Sequence, residues 1–363
     1  MSSKISEVVL VTGSSGFLGQ HIVKLLQERD NNCTHIKLLD IKPYENKLGH
    51  STEKPMEKIV ADITDLNAIS NAFKDVDCVF HAAADVSVGI ASSKEWKEKV
   101  NVLGTANVVQ ACLAHGVRSL VMTSTVDVNI GCEEIVNGTE KNTDALPSSA
   151  LFYDYAETKY RAERVVLDAN NKRTQKDDVD LHSLVLRPTV MYGEQDGFLL
   201  YNLLKSAKNR KSKVTQIGDG SALTQLSYVG NVAWAHIVSK DKLAISPKSV
   251  SGEVYFITDD TEIANPYQTI KPYAEAMNLS VGPTKMPGWI LYGIIALTEI
   301  IFTWINKFRE NKIYVPASAG ITYITRTYTF SRTKANLMLN YKPIYNSKES
   351  FQNSLEFYLH CNY

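Results

Sequence analysis

Tyr155 and Lys159, in Tyr-Ala-Glu-Thr-Lys, have the types and spacing for moving a proton. Four residues apart on a helix, their side chains share one face, and an ammonium near a phenol favours the phenolate. That lowers the cost of using tyrosine as a base near neutral pH. Tyr153 and Tyr160 crowd the same stretch, so chance could also produce the spacing. Hydroxyls at Ser124 and Thr125 close the apolar run Ser119 to Thr123 and offer groups to orient a reacting oxygen, which favours catalysis.

The second reactant has its own signature nearer the N-terminus. Val8-Val-Leu-Val-Thr-Gly-Ser-Ser-Gly-Phe-Leu-Gly19 reads as a buried strand turning through glycines into a helix with apolar Ile22, Val23, Leu25 and Leu26. Backbone N–H groups at such a helix start are unpaired and lie at the positive end of its dipole, which suits a pyrophosphate. Gly13 and Gly16 give access, Ser14, Ser15, Phe17 and Leu18 complete the turn, and Gly19 lets the helix pack close. His35 to Asp40 reads as the next strand, ending on a carboxylate where ribose hydroxyls of a dinucleotide arrive. A carboxylate there repels a 2′-phosphate, so Asp40 favours NAD, a preference that Lys42 softens.

Stepping along the chain, Met56 to Ala61 reads as a third strand, ending at Asp62-Ile63, a pair placed to meet an adenine. Cys78 to His81 is a fourth strand running into three alanines, with His81 read as a core histidine. Val100 to His115 is amphipathic, and Ser119 to Thr123 is a fifth strand. Alternating strands and helices predict an α/β fold with a doubly wound parallel sheet. Its 363 residues leave room for a second, smaller unit, so residues 1–190 are expected to form the nucleotide-binding domain and 191–363 the substrate domain, with 224–259 returning to the first.

Thirty-nine basic and 39 acidic side chains balance, which gives no reason to expect a nucleic-acid partner. The five cysteines are scattered without metal-ligand spacing, so no metal is expected, and they read as reduced thiols in a cytosolic setting. No cleavable signal peptide is expected ahead of the first strand.

Four motifs resemble the extended short-chain dehydrogenase/reductases: Thr12 to Gly19, Asn101-Val-Leu-Gly-Thr-Ala-Asn-Val108, Tyr155-x-x-x-Lys159 and Leu186-Arg-Pro-Thr-Val-Met-Tyr-Gly193. Within them, Tyr228-Val-Gly-Asn-Val-Ala-Trp-Ala-His236 and Gly252-Glu-Val-Tyr-Phe-Ile-Thr-Asp-Asp-Thr261 resemble the 3β-hydroxysteroid dehydrogenase/Δ5-Δ4 isomerases. Sugar-modifying relatives tend to carry an acidic pair where this chain has Gly230-Asn231. The resemblance implies a Rossmann sheet with a smaller, discontinuous C-terminal domain, NAD as cofactor with Pro188 beside it, and a steroid or sterol substrate. Tyr155 would take the proton of a 3β-hydroxyl, Lys159 would hold the ribose and keep the tyrosine acidic, and Thr125 or Ser124 would orient the oxygen. It also assigns Tyr255 and Asp259 to isomerisation, although residues four apart on a strand lie roughly 13 Å from each other.

Trp289 to Ile305 is a run whose only charge is Glu299. Its length is at the lower limit for spanning hydrocarbon, and tryptophans near both ends fit interfacial anchors. The expectation is a short span or an interfacial helix, against the alternative of a helix packed inside the substrate domain. A membrane helix without a leader implies the endoplasmic reticulum membrane with the catalytic part in the cytosol; a mitochondrial membrane or a cytoplasmic protein are the alternatives. A homodimer is possible through the Tyr155 helix. Competing functions are a sterol 4α-carboxylate 3-dehydrogenase, which needs a cation that the sequence does not place, a nucleotide-sugar epimerase or dehydratase, and a non-catalytic NAD(P) sensor.

Overall fold

The computed structural model describes residues 6–89, 92–142, 145–209, 213–309 and 317–361. The first apolar run forms β1 (Glu7–Thr12), and the glycine turn feeds α1 (Phe17–Glu28). There follow β2 (Cys33–Asp40), β3 (Met56–Val60), β4 (Cys78–His81), α2 (Gly104–His115), β5 (Ser119–Thr123), α3 (Tyr153–Asp168) and β6 (Asp180–Pro188). Later come α4 (Val229–Ile245) and β7 (Val254–Ile257). The strands pair in parallel in the order β7-β6-β5-β4-β1-β2-β3, and Lys172–Arg173 adds a short antiparallel pairing to β6. This is the doubly wound parallel sheet expected from the alternation of elements.

Both faces of the sheet are buried because side chains alternate sides along each strand. Val9 and Val11 join one core with α1 and α4, and Leu10 joins the other with α2 and α3. In β5, Val121 faces the first core, while Leu120 and Met122 face the second. Continuous apolar strands of this kind are stable only when helices cover both faces, which is why the chain crosses the sheet repeatedly.

After β6 the chain leaves the sheet. Val190–Tyr192 pairs in parallel with Leu226–Tyr228, and Ile135–Gly138 pairs with Tyr328–Phe330. Residues 229–257 then return: α4 packs on α1, and β7 extends the sheet beside β6. The last part of the chain returns as well, since Ala335, Leu339, Tyr341 and Tyr358 share the core of Val9 and Val11. Asn231 ties this tail down, donating to the carbonyl of Tyr345 and accepting from the N–H groups of Ile344 and Tyr345.

The apolar run forms α5 (Gly288–Asn306), about 28 Å long at 1.5 Å per residue. It is not packed inside a domain: none of its membrane-like window is buried. One stripe, Leu291 and Ile295, packs on the small core of Phe256, Tyr323 and Tyr328. Tyr292, Ile294, Leu297, Ile300, Ile301 and Trp304 are exposed.

Candidate active site

The site begins where β1 ends. Gly13 has φ +73°, and a Cβ there would stand 2.7 Å from the backbone nitrogen of Ala83. A Cβ on Gly19 would meet the carbonyl oxygen of Gly13, so α1 packs directly against the turn. No side chain caps the start of α1 and no acid lies in its first turn, which leaves its positive end available to an anion. The Ser14 hydroxyl is buried without a partner. An open helix start, a glycine turn without room for side chains and an unpartnered hydroxyl together fit a dinucleotide pyrophosphate.

Asp40 closes the turn from the end of β2. Its carboxylate accepts from the N–H of Ser15 at 3.0 Å and from that of Lys42 at 3.0 Å. The Ser15 hydroxyl donates to the carbonyl of Lys42 at 3.1 Å, so the carboxylate is fixed beside the turn where a ribose would lie. Phe17 sits half-buried, its ring 6.4 Å from Phe198, while Leu18 is turned into the core.

The sheet order reverses between β1 and β4, the place where ligands bind in open α/β sheets. Their ends are joined there: Thr12 Oγ1 meets His81 Nδ1 at 2.8 Å, and His81 Nε2 meets Thr105 Oγ1 at 2.9 Å. Burial pushes the His81 imidazole down to about 3, so it is a neutral core histidine. Asp62 and Ile63 lie near the end of β3, but the side chain of Ile63 is buried against Gly104. Its carbonyl accepts from Asn107 Nδ2, and Asp62 Oδ1 accepts from the N–H of Thr64. The Ile63 side chain therefore belongs to the core, which leaves its backbone and Asp62 to face a nucleotide.

The helix α3 delivers Tyr155 and Lys159 on adjacent turns. Tyr155 is half-buried and lines a cavity together with Thr125. Burial, then the charge of Asp127, push the phenol well above the usual range. Lys159 Nζ donates to the backbone carbonyl of Thr123 at 2.8 Å, and burial pushes its ammonium down to about 8. The ammonium is held by a carbonyl, and carboxylates dominate the field at the phenol.

Thr125 and Ser124 both line the cavity beside Tyr155, and the Ser124 hydroxyl is buried without a partner. Asp127 was not anticipated. Its N–H donates to Thr125 Oγ1 at 3.1 Å, and its Oδ1 is buried with no partner. Burial raises this carboxyl to about 6. A carboxylate two residues beyond the hydroxyl pair was the available sequence signal.

The cavity, about 490 Å³, runs from Ser124, Thr125 and Tyr155 past Pro188 to apolar walls that include Met191, Leu199 and Ile324. Among the described residues no lysine or arginine lines it. Arg187 is committed elsewhere, donating from Nε to Glu163 at 2.8 Å and from Nη1 to Asn129 at 3.0 Å. A second chamber of about 370 Å³ shares Ser87, Val88, Phe152 and Tyr155 with the first, and adds Lys97, Asp154 and Glu299.

Tyr255 and Asp259 are in neither chamber. Tyr255 is fully buried in the opposite core and donates its hydroxyl to the carbonyl of Val250 at 2.9 Å. Asp259 accepts from the N–H of Tyr228 at 2.8 Å, Asn231 Nδ2 at 2.9 Å and the N–H of Thr261 at 2.9 Å. Both are structural here, which corrects their assignment to isomerisation. The pleat turns Tyr255 away from Phe256, whose ring faces the core beside the cavity.

A model of the 3-beta hydroxysteroid dehydrogenase/isomerase family matches residues 10–280. The Arabidopsis thaliana protein "3beta-hydroxysteroid-dehydrogenase/decarboxylase isoform 2" is 28% identical over 364 residues, covering 97% of this chain and 62% of its own length. The chain thus spans less than two thirds of that relative. Among solved structures, MoeE5 in complex with UDP-glucuronic acid and NAD is 22% identical with a TM-score of 0.68, covering 96% of this chain and 98% of its own. UDP-glucose 4-epimerase of Thermus thermophilus, in complex with NAD, is 22% identical with a TM-score of 0.67, covering 98% of this chain and 99% of its own. These likenesses show the fold.

Proposed function

The chain belongs to the 3-beta hydroxysteroid dehydrogenase/isomerase family of enzymes, and from that premise we propose that it oxidises the 3β-hydroxyl of a sterol or steroid to the ketone with NAD. The observation that carries the reading is the apolar cavity that ends on Tyr155 and Thr125. A fused hydrocarbon ring system suits such walls, whereas a sugar diphosphate would need cations, and none of the described residues lining this cavity supplies one.

Gly13, Ser14, Gly16 and the start of α1 would hold the pyrophosphate, and Asp40 the ribose, which favours NAD over its phosphorylated form. When bound, the nicotinamide would supply the hydride acceptor and a positive charge beside the phenol. Tyr155 accepts the substrate hydroxyl proton at its phenolic oxygen, and Thr125 orients that oxygen. Lys159 donates one of its three N–H bonds to Thr123, which leaves two for a ribose. Asp127, which also lines the cavity, raises the phenol of Tyr155 by its charge.

A second reading is decarboxylating oxidation of a 4-carboxysterol, the activity in the name of the Arabidopsis relative. It is favoured by the lysine that borders the second chamber. In that chemistry the C4–carboxyl bond breaks, its electron pair becomes the enolate of the new ketone, carbon dioxide leaves, and one proton returns to C4. Isomerisation draws no support from Tyr255 or Asp259. The proposal extends to a membrane setting, with α5 lying in the interface and the catalytic fold in the cytosol at the endoplasmic reticulum. Fractionation of cells tests that location; recovery of the chain in the soluble fraction would overturn it.

The functional test incubates the protein with NAD and a 3β-hydroxysterol and follows NADH fluorescence together with ultraviolet enone absorbance. NADH formation supports the dehydrogenase, and absence of NADH from neutral and carboxylated sterols alike refutes it. Rising enone absorbance would demand an isomerase base other than Tyr255 and Asp259.

A further inference from the structure

The turn that follows Tyr192 is held from several sides. Gly193 has φ +137° and Gln195 has φ +72°, a left-handed conformation that a residue with a side chain seldom adopts. Such a conformation persists only where its surroundings hold it. Within the turn, the N–H of Asp196 donates to the carbonyl of Gly193 at 3.1 Å. His21 Nε2, on α1, lies 2.9 Å from the carbonyl oxygen of Glu194, and the Tyr228 hydroxyl donates to Glu194 Oε1 at 3.0 Å.

A further hold comes from the far end of the chain. Tyr358, on the C-terminal helix Ser347–His360, is fully buried, and its hydroxyl accepts from the N–H of Gly193 at 3.1 Å and donates to Asp196 Oδ2 at 2.8 Å. Asp196 is buried as well. Its Oδ1 accepts from the N–H of Phe198 at 2.6 Å, and its Oδ2 from that of Tyr201 at 3.1 Å, in the first turn of the helix Leu199–Asn209. One hydroxyl thus orients the carboxylate that fixes the backbone of Phe198. Phe198 lines the catalytic cavity, and its ring stands 6.4 Å from that of Phe17 in the dinucleotide turn. Tyr358 lines neither chamber.

We propose that Tyr358 is a positioning residue for the substrate: through Asp196 its hydroxyl sets where Phe198 stands, and Phe198 is the wall against which an apolar ligand packs. Phe198 is 42% exposed, so a ligand that covers its ring buries apolar surface. Affinity is greatest when such a wall is already in place, because ordering a loose side chain on binding costs free energy. Tyr358 supplies that order without touching the ligand. The proposal goes beyond the dehydrogenase reading and rests on it only for the choice of a steroid as ligand.

The test measures equilibrium binding of pregnenolone, a 3β-hydroxy-Δ5-steroid, to the NADH-saturated protein, in which it cannot be oxidised. Amide hydrogen exchange over residues 193–201 is followed in parallel without steroid. Tyr358→Phe removes one oxygen and keeps the ring in the core. It should weaken pregnenolone binding about 5- to 10-fold and speed exchange across 193–201. Phe198→Ala, at a partly exposed residue, should weaken binding too, and in that background Tyr358→Phe should cost nothing further. A purely structural Tyr358 would lower the melting temperature and leave affinity alone, or would weaken binding equally with and without Phe198; either result overturns the proposal, as does unchanged exchange over 193–201. Should Tyr358→Phe fail to fold, Phe198→Ala decides: undiminished affinity overturns the proposal, and weakened affinity supports it. If wild type binds no steroid, the dehydrogenase reading falls, and the exchange result alone decides whether Tyr358 positions Phe198.

Discussion

Replacing Asp127 by Asn should make the protein's stability depend less on pH. The wild-type carboxyl is raised from 3.8 to about 6 by burial, with one oxygen unpartnered. At roughly 1.4 kcal/mol per pKa unit this amounts to about 2–3 kcal/mol. Because the folded value lies above the unfolded one, the contribution is fully present below about pH 4 and is lost as pH rises through about 6. Wild type should thus lose about 2–3 kcal/mol from this group between about pH 4 and pH 7, and Asp127→Asn should not. Urea denaturation of both proteins across that range reads the difference directly. The same substitution removes a charge that raises the Tyr155 phenol, so the acid limb of the turnover profile should move to lower pH. If the stability difference between the two proteins stays flat across pH, Asp127 does not ionise in a buried setting and the reasoning fails.

Tyr155→Phe should cut turnover by about 10²- to 10⁴-fold while NAD binding, followed by fluorescence, is preserved; turnover near wild type would remove Tyr155 as the base. Asp259→Ala strands the buried donors of Tyr228, Asn231 and Thr261 and should destabilise the fold by about 2–5 kcal/mol in chemical denaturation. A normally stable variant that loses only enone formation would restore Asp259 to catalysis. Leu297→Asp with Ile301→Asp places charges on the exposed face of α5, and should release the protein from sedimenting phospholipid vesicles with no loss of thermal stability. Unchanged sedimentation would remove α5 as the membrane contact.

The parts of the site legible in the sequence are those whose geometry is local. Gly13, Gly16 and Gly19 mark a turn because a strand and a helix must meet within a few residues there. Tyr155 and Lys159 mark a face because helical spacing fixes it. Asp127 was missed since its importance lies in the burial of its carboxyl and in its charge near Tyr155, a residue distant in sequence. Lys97 was less visible still: Lys-Glu-Trp-Lys-Glu-Lys reads as a solvated charged turn, and only the tertiary fold buries one of its lysines. Tyr255 and Asp259 took their roles from resemblance, whereas the pleat and the capped loop after β7 direct them into the scaffold. Glu299 stood out as a lone charge in an apolar run, but its reason emerges only in three dimensions. It continues the Leu291 and Ile295 stripe by one more turn and arrives at the wall of the second chamber.

That stripe gives α5 two different solvents. One side closes a chamber that touches Tyr155, and the other presents Ile294, Leu297, Ile300 and Ile301 outward. A sterol reaching the chamber past such a helix would never equilibrate with water. Its effective concentration would be its mole fraction in the lipid, so diluting the membrane with inert phospholipid would slow the enzyme even at constant total sterol, while diluting the whole suspension with buffer would not.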